Sequence, residues 1–288
     1  MSTLFLFPSD YFDIRKVDAN YKDEYNEVAK FPEFETAVYD YEEFITNGKL
    51  SIYPNNRYRG TCVYRGWMLT PLQYEDLYKE LLDKGLKLIN SPVEYNECHL
   101  FPNVYDSIKS YTPKSIYYQD QKTIDWVTIN RSFKRFMVKD YVKSVKGSSF
   151  PDYFETPVVG QKMDYYIQKF IELRANLYTG GIVIKEFVDL KKYFGFTNEY
   201  RAFFLNGELV SLCRNSNQPN TSKIIPRDFV QIFKSLKSKF YTVDFAELDD
   251  GSWGVIETGD GQVSGLSSNQ NVFKYYDEIR KMLESEKI

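Results

Sequence analysis

Histidine is nearly missing from this 288-residue chain, His99 being the only one. A multi-histidine metal centre is thereby excluded, and His99 is expected to be structural, or at most a single acid or base. Cysteine is scarce as well. Cys62, Cys98 and Cys213 are odd in number and far apart, so they read as reduced thiols of a cytoplasmic protein rather than a disulfide or zinc framework. No stretch approaches the roughly 20 apolar residues that span a bilayer, and no membrane partner is expected. The opening M-S-T-L-F-L-F-P-S-D has no basic residue before its short apolar stretch, so no signal peptide is expected. A net charge of −3 gives no general grip on nucleic acid, which needs a concentrated basic face. Internal repeats, low-complexity tracts and the G-K-[ST] of a Walker loop are also lacking. So is any Ser/His or Cys/His pattern for a covalent nucleophile.

Aromatic residues, by contrast, are abundant: 25 Tyr and 22 Phe in a chain that is 43% hydrophobic. They are read as core packing in a protein large enough for one big domain or two to three subdomains. The frequent Tyr, Lys, Asn and Ile also fit a composition-biased genome.

The most informative stretch is V-D-F-A-E-L-D-D-G-S-W-G-V-I-E-T-G-D-G-Q-V-S-G-L, from Val243 to Leu266. V-D-F-A alternates like a strand, Asp249-Asp250-Gly251 is a turn, and Trp253 to Glu257 reads as the returning strand. That hairpin places Asp244 and Glu257 on neighbouring strands. Two carboxylates beside a glycine-rich segment suit a hard cation such as Mg²⁺, whose other ligands are usually nucleotide phosphates. A solvated hairpin carrying ordinary surface acids is the alternative.

Upstream, Phe136 to Ser144 reads as a strand carrying Lys139, and Gly181 to Leu190 as a strand bearing Lys185 and Glu186. Glu199 to Phe204 is a strand with Arg201, followed by an N-G turn at Asn206-Gly207 and a second apolar run. Between them K-S-V-K-G-S-S-F, Lys143 to Phe150, is small, basic and flexible, able to close over phosphates as a lid or to stay an ordinary surface loop.

This order of motifs, over roughly residues 110 to 270, resembles the ATP-grasp superfamily of carboxylate–amine ligases. A phage and bacterial subgroup, first catalogued as domains of unknown function, is similar in R-G-W-M-L (Arg65 to Leu69), in V-K-D, and in I-E-T-G-D-G-Q-V-S-G-L. The resemblance implies an ATP-grasp fold, two α+β subdomains clasping ATP, preceded by a small α/β domain at residues 1–110. The ATP-grasp part would be residues 111–288, with a lid subdomain at 111–184 and a metal- and phosphate-binding subdomain at 185–288. ATP would be held by Lys139, Lys143, Ser144, the hinge Lys185-Glu186-Phe187-Val188, and Glu199. Mg²⁺, or Mn²⁺ in its place, would be held by Asp244 and Glu257. Familiar relatives carry Asn two residues after that Glu; here Gly259 stands there, leaving Asp260 or water as substitute. Lys185 departs too, since the ribosomal-protein glutamate ligases have Gln at that hinge position. Lys139 and Arg201 would be catalytic, and Arg65 and Arg201 would bind substrate. As an unaided reading, Arg65 is either a carboxylate or phosphate clamp or half of a structural ion pair.

Remaining elements are expected to pack rather than react. These are a helix at Asp40 to Thr46, and a Thr70-capped helix with Leu77, Leu81 and Leu82 inward, stopped by Gly85. Three more follow: Asp164 to Leu177 with Ile167, Phe170, Ile171 and Leu177 buried, Phe229 to Phe240, and Val272 to Leu283. The implied activity joins a small-molecule, peptide or protein carboxylate to an amine, with ADP as product. Two alternatives stand beside it: a non-catalytic nucleotide-binding module, and an ATP-grasp enzyme acting on RNA or a nucleotide metabolite.

Overall fold

The protein is described from a computed structural model covering residues 2–145, 147–216, 218 and 222–285. Lys146, within the expected phosphate lid, lies outside the described residues. The first third builds a five-stranded sheet from β1 (Thr3–Pro8), β2 (Phe34–Tyr39), β3 (Ile52–Tyr53), β4 (Gly60–Tyr64) and β5 (Leu86–Leu88). Its order is β3-β2-β1-β4-β5, parallel except for the edge strand β3. Helices α1 (Lys22–Val28), α2 (Tyr41–Asn47), α3 (Pro71–Asp83), α4 (Pro92–His99) and α5 (Phe101–Ile108) connect and follow these strands. Asp40 caps α2 and Gly48 ends it with a φ of +69°. Thr70 and Gln73 cap α3 reciprocally, with Pro71 at the first helical position. Tyr74, Leu77 and Leu81 face the sheet, whereas Leu82, expected inside, is half exposed because it lies one residue round from that stripe.

The second sheet has the order β6-β9-β7-β8, all neighbours antiparallel. Its strands are β6 (Ser115–Tyr118), β7 (Arg135–Asp140), β8 (Phe154–Glu155) and β9 (Ile182–Glu186), with helices α6 (Trp126–Ser132) and α7 (Gly160–Arg174). Phe136, Val138, Ile182 and Ile184 share one core with Met163, Ile167 and Phe170 of α7. The helix begins four residues before the expected Asp164 and stops at Arg174. Leu177, past its end, is exposed, and Ala175 rather than the glycine pair closes the helix. β7 is also shorter than expected. Asp140 accepts hydrogen bonds from the backbone N–H of Val142 (2.7 Å) and Lys143 (2.6 Å), turning the chain out of the sheet.

A small hairpin, β10 (Lys192–Tyr193) and β11 (Phe196–Thr197), leads into the third sheet. That sheet runs β13-β12-β14-β15, antiparallel, from β12 (Glu199–Leu205), β13 (Glu208–Arg214), β14 (Phe240–Glu247) and β15 (Trp253–Asp260). Asn206 and Gly207, both at positive φ, make the turn between β12 and β13. The long helix expected over Phe229 to Phe240 is only α8 (Arg227–Gln231). Phe240 is instead the first residue of β14, because Phe240 and Tyr241 enter the cores on opposite faces of the sheet. A last helix, α9 (Val272–Ser285), closes the described chain. Its Tyr275, Tyr276 and Ile279 form one core with Phe5 and Phe7 of β1 and Phe203, Leu205 and Phe240 of the third sheet. No described helix is long and apolar enough to cross a membrane.

Candidate active site

The site lies where the end of β7, the end of β9 and the β14–β15 hairpin meet. Phe136 and Val138 enter the core beneath α7, so alternation turns Lys139 the other way. Its ammonium donates to Glu257 Oε1 at 3.0 Å, and Lys143 reaches Glu257 Oε2 at 3.1 Å. Burial alone would raise the Glu257 carboxyl, but the two lysines outweigh it and hold the group well below the usual carboxylate range. Asp140, which bonds the Lys143 backbone, is itself fixed by Arg174 Nε at 2.8 Å, so the turn that presents Lys143 is anchored.

Lys185, on β9, is buried. It donates to Ile256 O (2.6 Å) and Thr112 Oγ1 (3.2 Å), with its ammonium 4.9 Å from the Phe101 ring centre. Lys139 sits 5.4 Å from the same ring. Burial, followed by repulsion from Lys139, pushes the Lys185 pKa down to about 7. Thr112 and Phe101, which floor these lysines, carry no sequence signal for such a role.

A cavity of about 1070 Å³ opens over these groups. Its walls include Lys139, Lys143, Ser144, Lys185, Glu257 and the edge Glu186-Phe187-Val188. The volume accommodates a nucleotide, being at the top of the range for small-molecule sites. Phe187 stacks on Tyr153 at 4.5 Å, with the Arg135 guanidinium over both rings and paired to Asp189. Of the expected nucleotide residues, Glu199 does not line this cavity. It accepts from Thr197 Oγ1 at 2.6 Å, and Thr197 does line it.

Asp244 faces Glu257 across the hairpin as a paired position, as expected. Both its oxygens, however, are taken by Arg201, whose Nε and Nη2 each donate at 2.7 Å, while Nη1 donates to Gly265 O at 2.9 Å. Burial would lower the Arg201 pKa; the Asp244 contact outweighs it and keeps the guanidinium charged. A smaller cavity of about 210 Å³ lies beside Arg201 and is lined also by His99, Trp67, Gly259 and Ser264. Lys143 lines both cavities. His99, packed on Tyr95 at 4.6 Å, is kept neutral by burial, then by Lys143, its pKa near 3.

Two expected site residues are corrected by this geometry. Asp260 is fully buried and accepts from Asn90 Nδ2, from the Gln262 backbone N–H (2.9 Å) and from Gln262 Nε2 (3.2 Å). Its two oxygens are committed behind the sheet, because residues 257 and 260 of one strand face opposite ways. It therefore does not replace the missing Asn. Nor is there open room for one, since a Cβ on Gly259 would stand 3.1 Å from Thr242 Oγ1 and from Ser264 Oγ. Arg65 is the second correction. It is buried, grips Glu24 through Nε (2.9 Å) and Nη2 (3.0 Å), and donates Nη1 to the carbonyls of Gly261, Gln262 and Ser264. Its fork is spent on holding the loop after β15 rather than on a substrate. Glu24 lies far away in sequence, in a helix with no feature that marks it.

Among the described residues no three His, Cys, Asp or Glu side chains converge on one point. Asp244 and Glu257 are an oxygen-only pair, which fits one Mg²⁺ whose remaining ligands are phosphate and water.

No curated protein matches the chain by sequence. Solved structures do match in fold. The RimK domain ATP-grasp protein from Sphaerobacter thermophilus is 12% identical, with a TM-score of 0.62, covering 98% of this chain and 100% of its own. D-alanine–D-alanine ligase from Bacillus anthracis, complexed with ATP, is 13% identical over 100% of both chains, with a TM-score of 0.60. The ATP-grasp ligase PsnB complexed with its minimal precursor is 11% identical, covering 98% and 99%, with a TM-score of 0.59. Three sheets in this arrangement are thus an ATP-grasp fold. The model of an ATP-grasp domain, the third family of its clade, matches residues 126–279, more than half of the chain, and the protein belongs to that ATP-grasp family.

Proposed function

We propose that the protein is an ATP- and Mg²⁺-dependent carboxylate–amine ligase that forms ADP by way of an acyl phosphate. The observation that carries this is Lys143, which lines both the nucleotide-sized cavity and the small cavity beside Arg201. A phosphoryl group leaving the first cavity enters the second without crossing bulk water.

In this reading Glu186, Phe187 and Val188 receive the adenine. Lys139, Lys143, Ser144 and Lys185 hold the phosphates, and residues 111–184 form the lid subdomain over them. Mg²⁺, when held by Asp244 and Glu257, offsets charge on the transferring phosphoryl. Lys139 and Lys143 exchange Glu257 for phosphate oxygens when ATP arrives, so the same two cations serve both states. Arg201 faces the acyl phosphate with the N–H groups that Asp244 and Gly265 leave unused. No covalent nucleophile is needed, since positioning and electrostatic stabilisation suffice. The structural neighbours named for D-alanine, RimK and peptide-precursor ligation support a carboxylate and an amine as substrates.

The test is calorimetry of Mg·ATP binding, followed by ADP release in the presence of carboxylate and amine pools. Asp244→Asn and Glu257→Gln are each expected to keep the fold and reduce turnover about a thousandfold, some 4 kcal/mol of transition-state stabilisation. Folded protein that binds no Mg·ATP would remove the assignment. Binding without turnover against any pool would instead make the chain a nucleotide-binding module.

A further inference from the structure

The carboxylate substrate can be narrowed from the small cavity, given the ligase assignment above. Its volume, about 210 Å³, is below the few hundred Å³ of a typical drug-sized site and suits one amino-acid residue. Two cations line it, Arg201 and Lys143. A guanidinium has five N–H donors, and Arg201 uses three: two on Asp244 and one on Gly265 O. Lys143 has three and uses one, on Glu257. The cavity therefore keeps donors for an anionic group.

It offers no counter-charge for a cation. No aspartate or glutamate is in its wall. The two nearest acids are already shared out: both Asp244 oxygens go to Arg201, and the Glu257 oxygens go one each to Lys139 and Lys143. His99 is the remaining titratable group that can accept, and it is neutral. A free amino acid would bring its ammonium beside two fixed positive charges with nothing to pair it, a repulsive element that works as selection against it.

The rest of the wall is apolar and firmly held. Trp67 stands edge-on to Tyr41 at 4.6 Å and to Tyr21 at 5.6 Å, while its carbonyl accepts from Tyr64 Oη at 2.7 Å. Tyr21, Met68 and Val263 complete the same side. Such a wall takes an aliphatic or aromatic side chain.

We propose that the small cavity seats the α-carboxylate of an apolar residue whose own nitrogen is acylated, as at a peptide C-terminus, and rejects free amino acids. Trp67 is then a specificity-determining residue.

The experiment uses the full chain with Mg²⁺ and a non-hydrolysable ATP analogue, so that binding is read without turnover. N-acetyl-L-phenylalanine, the tripeptide Ala-Ala-Phe, N-acetylglycine and L-phenylalanine are titrated by calorimetry. The two acylated phenylalanine ligands are expected to bind at least about tenfold more tightly than L-phenylalanine, or 1.4 kcal/mol. Trp67→Ala should reduce the preference for N-acetyl-L-phenylalanine over N-acetylglycine, a ratio that a merely less stable protein would leave unchanged. L-phenylalanine binding as tightly as its acetylated form, an unchanged ratio in Trp67→Ala, or no carboxylate binding would overturn the proposal. Selective binding with no ADP release from ATP would fault the ligase assignment and leave this seat standing.

Discussion

Arg65 and Arg201 show how one residue type separates into two roles according to what surrounds it. Arg65 has its guanidinium wholly enclosed, with Glu24 and three carbonyls as partners. Arg65→Ala strands a buried carboxylate and is expected to cost about 3–5 kcal/mol, lowering Tm by on the order of 10 °C in a thermal scan. Arg201 is part-exposed at the small cavity, its side chain 24% accessible. Arg201→Lys keeps the charge and loses the planar fork. Turnover should fall about a hundredfold, roughly 2.7 kcal/mol, while Tm moves by only a few degrees. A large Tm loss with turnover per folded molecule intact would make Arg201 structural as well. Lys185 gives a pH signature. Its folded pKa is near 7 against 10.5 in an exposed lysine, so between those values the unfolded chain binds the extra proton. Stability of the protein without nucleotide should therefore rise with pH across that window, by up to about 1 kcal/mol per pH unit, and level off below pH 7. Lys185→Met should flatten that rise in denaturant melts taken from pH 7 to 10.

Local patterns carry most of what the sequence tells about the elements. The Thr70-Pro71-x-Gln73 cap, the Asn206-Gly207 turn and the Asp249-Asp250-Gly251 turn each act within a few residues, and each stands where the residues put it. Asp244 opposite Glu257 was legible for the same reason, since a hairpin's register follows from its turn. Partners distant in sequence were not. Glu24 under Arg65 and Asn90 on Asp260 are joined by the fold alone, so Arg65 and Asp260 looked available for ligands when both are committed. The helix expected over Phe229 to Phe240 failed for a related reason: its apolar residues serve two faces of a sheet rather than one face of a helix. At the joint of β6 and β9, backbone closeness governs. A Cβ on Gly181 would fall 2.0 Å from the Tyr118 carbonyl oxygen. Gly181→Ala must push the strands apart just before the phosphate-binding lysine, and about 1–3 kcal/mol of stability should be lost, read as a lower denaturation midpoint.

At the scale of the molecule, the first sheet is not an appendage of the other two. Phe5 and Phe7 of β1 share a core with Phe203, Leu205, Phe240 and the tyrosines of α9, so unfolding one part uncovers the other. Asn90, just after β5, adds a polar tie inside that join. Its Nδ2 donates to Phe240 O at 2.7 Å and to Asp260, its Oδ1 accepts from the Phe240 N–H at 2.9 Å, and its own carbonyl accepts from Tyr74 Oη at 2.9 Å. This tie fixes both ends of the hairpin that carries Asp244 and Glu257. Asn90→Ala leaves a buried carboxyl and both main-chain groups of Phe240 without their partners. A loss of about 3 kcal/mol or more follows, because each unpaired buried group costs roughly 1–3 kcal/mol. Because the apolar core spans the join, thermal unfolding of the wild type, followed by tryptophan fluorescence and by far-UV circular dichroism, should show one coincident transition. In Asn90→Ala the same transition should move to lower temperature without splitting. Two separate transitions in either protein would mean that the first sheet folds independently, and that the hairpin's carboxylates are held in place without it.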